Sequence, residues 1–254
     1  MTPDTNVVAT AAPGNFFSRL IGVYFSPGET FKEIGQSPSF IVPLLVLMLV
    51  GGLGAYVLIE RVTVPKFFGQ GMEQRVAKGQ MTQEQANQQL EAMTSREPMI
   101  KGGFFVSGFI QWAIIPLIVA GLFKLISMVM GKENLFKPLF AVTVYTMLAI
   151  AILSTLVFVT TLYLKPVDEI DMQSLGTTNL GALLEMLVGK DGLPKFIMSL
   201  ARWIDIFAIW MLALLSIGYA AVTRKLKTST AACTLGGLYA PVALIGASIA
   251  AVRG

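Results

Sequence analysis

Five long runs of apolar residues punctuate the chain, at about 40–59, 104–130, 138–164, 196–222 and 230–252. A hydrocarbon core about 30 Å thick is crossed by roughly 20 helical residues. Inside lipid, a helix satisfies its own backbone, whereas an isolated extended segment does not. The pattern therefore predicts an all-α polytopic membrane protein, a bundle of five transmembrane helices. Pro116 and Pro241 fall inside two of these runs and are expected to kink them. No internal repeat relates the runs, so an inverted-repeat transporter is not signalled.

The stretches between the runs divide the chain further. Residues 1–13 are small, polar and Pro-bearing and read as a disordered tail without a basic n-region. The first span is then expected to be retained and to act as the insertion signal. In 14–39, Phe16, Phe17, Leu20, Ile21 and Tyr24 recur at helical spacing, which suits an interfacial amphipathic segment. Ser26-Pro27-Gly28-Glu29 reads as a capping box opening a second short helix, and Ser37-Pro38 repeats the device before the first span. Residues 60–103 form a polar helical insertion rich in Gln, Glu and Ala. Gly79 interrupts it, and Thr82 with Gln85 forms another capping-box pattern, so a helical hairpin over 65–78 and 82–95 is predicted. Its apolar residues, among them Val76, Leu90 and Met93, are too few for a core of its own. It must pack on a partner, the bilayer or itself.

The loop 165–195 is acidic: Asp168, Glu169, Asp171, Glu185 and Asp191 outnumber Lys165, Lys190 and Lys195. Residues 178–188 could lie on the membrane as a short helix. The acids lack EF-hand spacing, so no metal is expected there.

Composition narrows the chemistry. Of 254 residues, 54% are apolar and 13% charged, about half the charge of an ordinary globular chain. There is no His and one Cys, which removes His-based triads and metal sites, Cys clusters and intramolecular disulfides. The net charge of +4 is dispersed among loops, so nucleic acid is not an expected partner. Phosphate-loop, dinucleotide and nucleophile-elbow motifs are missing. No catalytic residue, cofactor or metal is expected, and the protein is read as no enzyme.

Basic residues orient membrane proteins through their short loops. Lys132 and Lys137 stand against Glu133 between spans two and three, and Arg224, Lys225 and Lys227 lie between spans four and five. Both loops are expected to be cytoplasmic, with the N-terminus inside and the C-terminus outside. The basic residues of 60–103 count against this orientation.

Ionisable residues within spans mark functional sites by default. Lys124 is read as snorkelling to the interface. Arg202 and Asp205, three apart at the start of span four, are expected to pair along one helix face, beside an aromatic stripe of Trp203, Phe207 and Trp210. Small residues recur every four positions: Gly51 and Ala55 in span one, then Ala232, Gly236, Ala240 and Ala243, Ala247, Ala251 in span five. They read as helix-packing seams. A homo-oligomer through such a face stays open. Cys233 reads as a small packing residue.

Phe16–Leu47, the 79–91 hairpin, the stretch from Gly131 (GKENLFKPLFAVTVYTMLA) and that from Trp203 (WIDIFAIWMLALLSIGYAAVTRKLKTSTAA) together resemble the Yip-one domain family (Ypt-interacting proteins), in its bacterial form. The resemblance covers roughly 15–250 and implies a small multi-span protein with a cytoplasmic N-terminus, in a bacterial inner membrane. Eukaryotic relatives bind Rab-type GTPases. Their acidic motif before the first span is absent here, where Ser26-Pro27-Gly28-Glu29 stands instead, so that partner is not carried over. The expected function is to bind or organise protein partners at the bilayer. The alternative is a small transporter, channel or lipid-handling protein working through Arg202 and Asp205. Ser26, Pro27, Gly28, Glu29, Arg202 and Asp205 are the candidate functional residues.

Overall fold

The structure is a computed structural model and describes residues 14–164, 166, 178–189 and 192–253. The tail 1–13 and the acids Asp168, Glu169, Asp171 and Asp191 lie outside these residues. The described chain is all helix: α1 (Phe16–Phe25), α2 (Pro27–Gln36), α3 (Ile41–Val62), α4 (Val64–Ala77), α5 (Gln83–Thr94), α6 (Glu97–Val129), α7 (Phe136–Leu164), α8 (Leu180–Val188), α9 (Lys195–Ala201), α10 (Ile206–Val222) and α11 (Thr228–Arg253). Four of these, α3, α6, α7 and α11, are long and apolar enough to cross a membrane.

α7 is the central strut. About 56% of its apolar window is buried, against 17–22% for the other three. Every residue from Pro138 to Ala151 is buried, because α1, α2, α3, α6 and α10 all pack on it. The other three keep broad apolar faces outward, as helices facing lipid tails do. Lipid is as apolar as a leucine side chain, so association depends on close packing and hydrogen bonds rather than on escape from water. Thr143 supplies one such bond: its Oγ1 donates to the Leu139 carbonyl at 2.8 Å and meets the Tyr219 hydroxyl of α10 at 2.6 Å. Gly218 supplies the closeness, since a Cβ there would sit 3.1 Å from Phe31 and overlap Val142.

α1 and α2 join this core through Val23, Phe31 and Ile34, which are fully buried. Phe16 packs on Tyr145, and the Tyr24 hydroxyl donates to the Ala149 carbonyl at 2.6 Å. Those points lie roughly 13 and 20 Å along α7 from Phe136, at about 1.5 Å per residue. Phe17, Ile21 and Phe25 face outward along the opposite side of α1.

The run 196–222 is not one helix. α9 and α10 are separated by Arg202 to Asp205, and α10 has only 17 residues. Hydropathy alone does not register this break, because the interrupting residues are few and the flanks are apolar. Pro116 and Pro241 both sit inside unbroken helices. The second polar segment is α4 and α5. At α5 the Thr82 hydroxyl accepts from the Gln85 amide at 3.2 Å and the Gln85 side chain accepts from the Thr82 amide at 2.9 Å. Gly79 takes a φ of 68° just before it.

Candidate functional site

The break between α9 and α10 is organised by Asp205. The residue is extended, and its Oδ1 accepts the Phe207 and Ala208 amides at 2.8 and 3.2 Å, capping α10. Its Oδ2 accepts the Thr178 hydroxyl. The backbone continues the pairing: Leu180 N–H donates to the Ile204 carbonyl at 2.8 Å and Ile206 N–H to the Thr178 carbonyl at 3.3 Å. A helix start leaves amides without intrahelical partners, and a carboxylate there both bonds them and complements the helix dipole.

Arg202 does not pair with Asp205. Its guanidinium donates to Glu185 of α8 at 3.2 Å, and α8 lies so close that a Cβ on Gly181 would overlap the Arg202 side chain. The expected i, i+3 pair fails because the two residues do not share a helix. For the same reason Trp203, Phe207 and Trp210 form no single stripe. The Trp203 carbonyl accepts the Tyr239 hydroxyl of α11 at 2.7 Å, Phe207 lines a cavity, and Trp210 packs on Tyr24.

That cavity, of about 420 Å³, opens beside Asp205 between α7 and α10. Ser154, Thr155, Thr178 and Asp205 give it a polar side, and Ile150, Val157, Phe158 and Met211 an apolar one. Ser26, Pro27, Gly28 and Glu29 do not line it. The structure therefore brings Arg202 and Asp205 to one region on separate partners, and leaves the N-terminal four elsewhere. Ser26 is the single residue between α1 and α2. It forms no capping box, because its N–H, which Glu29 would need, donates to the Gly22 carbonyl at 2.8 Å and closes α1. Its own carbonyl accepts from Thr30 Oγ1 at 2.9 Å. Glu29 is exposed, and a side chain on Gly28 would meet open space. The Ser37-Pro38 cap is also absent, since α3 starts after Phe40 without a side-chain cap.

What holds this segment is a residue the motif reading passed over. Arg19 is 3% exposed; its Nε donates to Glu33 at 3.0 Å, and its Nη1 to the Ser37 carbonyl and Ser39 Oγ, each at 2.9 Å. The signal was an arginine within an aromatic helix, with a carboxylate fourteen residues on. Lys124 reaches the Asn134 carbonyl at 2.5 Å, at the end of α6. Cys233, expected to pack, is exposed on α11. Among the described residues, no cluster of three or more acidic, His or Cys side chains is placed to hold a metal.

A model of the Yip1 domain matches residues 21–252, nearly the whole chain. The chain belongs to the Yip1 domain family. No curated protein and no solved structure matches it. The Yip1 match begins inside α1 and ends inside α11, so it takes in α2, the broken α9–α10 stretch and the polar α4–α5 segment together with the long apolar helices. The protein is accordingly a Yip1-family membrane protein, with apolar helices that place it in a lipid bilayer.

Proposed function

We propose that the protein is a non-enzymatic organiser of protein partners in the membrane, and that the segment 60–103 is its main contact surface. The observation that carries this is the character of α5. Only Ala86 of its twelve residues is buried, and its remaining faces are largely Gln, Glu and Asn. A helix polar on nearly every side gains little from its own bundle, so an arm of this kind is best explained by what it meets outside. Deleting 69–95 is expected to leave the protein membrane-inserted while removing a crosslinked partner from native membranes. Retention of every crosslinked species after the deletion would overturn the proposal.

The same proposal includes five crossings, with α9–α10 as the fourth, in a bacterial inner membrane, N-terminus inside and C-terminus outside. Support comes from the ends of the helices. Arg224 N–H donates to the Glu133 carbonyl at 3.0 Å, which joins the α6–α7 and α10–α11 turns at one end of the bundle. If α7 crosses away from that end, the chain must return through α10. At 17 residues, α10 is about 25 Å long, and α9 with its turn makes up the remaining depth. Both turns are basic and short, which favours the cytoplasmic side. α1, which meets α7 at Tyr145 and Ala149, roughly 13 and 20 Å in from that end, would then dip below the interface, with Phe17, Ile21 and Phe25 toward lipid and its other face on α7.

The cavity beside Asp205 favours a second possibility, a transport or lipid-handling path. It requires that Asp205→Asn abolish a flux in proteoliposomes while the protein stays folded; an unchanged flux excludes it.

A further inference from the structure

At the end of the bundle where α2 meets the α6–α7 and α10–α11 turns lies a different cavity, of about 500 Å³. Leu135, Pro138, Ala221 and Val222 give it an apolar floor, and Lys32 and Arg224 stand at its rim. A polar recess of about 310 Å³ adjoins it, sharing Glu133 and Arg224 and adding Lys132 and Lys225. Four cations thus surround one carboxylate. Glu33, the acid on the adjoining helix α2, is engaged with Arg19, and Glu29 is not among the lining residues.

The recess is assembled, not a chance meeting of loose chains. Lys132 Nζ donates to the Lys225 carbonyl at 3.2 Å, and Arg224 meets Glu133 at 3.3 Å as well as through its backbone. Lys225 is held at φ 56°, a left-handed conformation that a lysine rarely adopts. The Glu133–Arg224 pair is largely exposed, so an incoming anion can compete for the arginine. Apolar helices α6, α7, α10 and α11 all begin or end here, which, on the crossings proposed above, is the level where a bilayer carries its headgroups.

We propose that this end of the bundle is a binding site for the headgroup of an anionic phospholipid. The phosphate lies among Lys132, Arg224 and Lys225, with Lys32 at the outer rim, and the glycerol and first acyl carbons lie over the apolar floor. Basic pockets between membrane helices recognise lipid headgroups by this combination of charge and apolar support. A free phosphate would use the recess and leave the floor empty, which is why the lipid is favoured.

The test uses the purified full chain in a neutral detergent, titrated with phosphatidylglycerol, phosphatidylcholine or inorganic phosphate, with bound lipid counted by native mass spectrometry and thermal stability read in parallel. Phosphatidylglycerol is expected to bind at least tenfold more tightly than phosphatidylcholine and to weaken as salt is raised. Lys132→Gln with Lys225→Asn should lower its affinity about tenfold; Asn suits the left-handed position. Lys32→Gln, on the exposed face of α2 and away from the turns' hydrogen bonds, should lower it a few-fold. The charge-matched pair Arg75→Gln with Arg96→Gln, at the opposite end, should change it less than twofold. Equal affinities for the site and control variants would overturn the proposal, as would inorganic phosphate stabilising the protein as well as the lipid does.

Discussion

Two helices carry the same sequence signal, small residues spaced by four, and meet different fates. On α3, Gly51 and Ala55 face Gly108 of α6. A Cβ on Gly108 would stand 2.6 Å from the Gly51 carbonyl and 2.9 Å from the Ala55 Cβ, and a Cβ on Gly51 would overlap the Trp112 ring. On α11, Ala232 and Ala240 are exposed, and a Cβ on Gly236 or Gly237 would meet nothing within 4 Å. Only the other α11 set closes, through Ala243 and Ala247. A small residue permits close approach but does not cause it. The α3–α6 crossing closes because glycine stands on both sides and a large ring fills the flank.

Substitutions along these seams should separate the cases by size. Gly108→Leu is expected to be worst, costing about 3 kcal/mol or more, because the obstacle is backbone and cannot rotate aside. Ala247→Leu, fully buried on α11, should cost about 2 kcal/mol by overpacking. Gly51→Ala should cost about 1 kcal/mol, since half-buried Trp112 has room to swing outward. Gly236→Ala should be neutral or stabilise by about 0.5 kcal/mol through helix propensity alone. Reversible unfolding in bicelles measures all four. A destabilising Gly236→Ala would show that the open seam is covered by something, and a harmless Gly108→Leu would break the contrast altogether.

Much of the framework was legible because α3, α6, α7 and α11 are long apolar runs, and length is what a bilayer selects. Less was legible where one backbone group has two possible uses. Thr82-x-x-Gln85 and Ser26-x-x-Glu29 follow one pattern, yet only the first forms a capping box. Three residues of turn precede Thr82 and leave its amide free. Ser26 directly follows a helix that claims its amide. The same limit hid the interruption in 196–222. Asp205 is a good N-cap residue before an apolar run, and that cue marked a helix start which hydropathy smoothed over. Of the candidate site residues, Arg202 and Asp205 have well-defined bonds, but to Glu185 and Thr178, partners that lie 17 and 27 residues away. Spacing within one helix could not name them.

The buried position of α7 also bears on how the protein is made. Tyr24 bonds Ala149 across 125 residues of chain, and Thr143 waits 76 residues for Tyr219. At about 5–20 residues per second, translation needs several seconds to get from the end of α7 to the end of α10. During that interval α7 lies in the translocon or the nascent bilayer with one flank uncovered, and Phe31 and Ile34 have nothing complete to pack against. α1 and α2, made before α7, are thus among the last of these helices to settle fully. A chain cut short before α10 should therefore be handed to membrane quality control with its amino-terminal helices held by α7 alone.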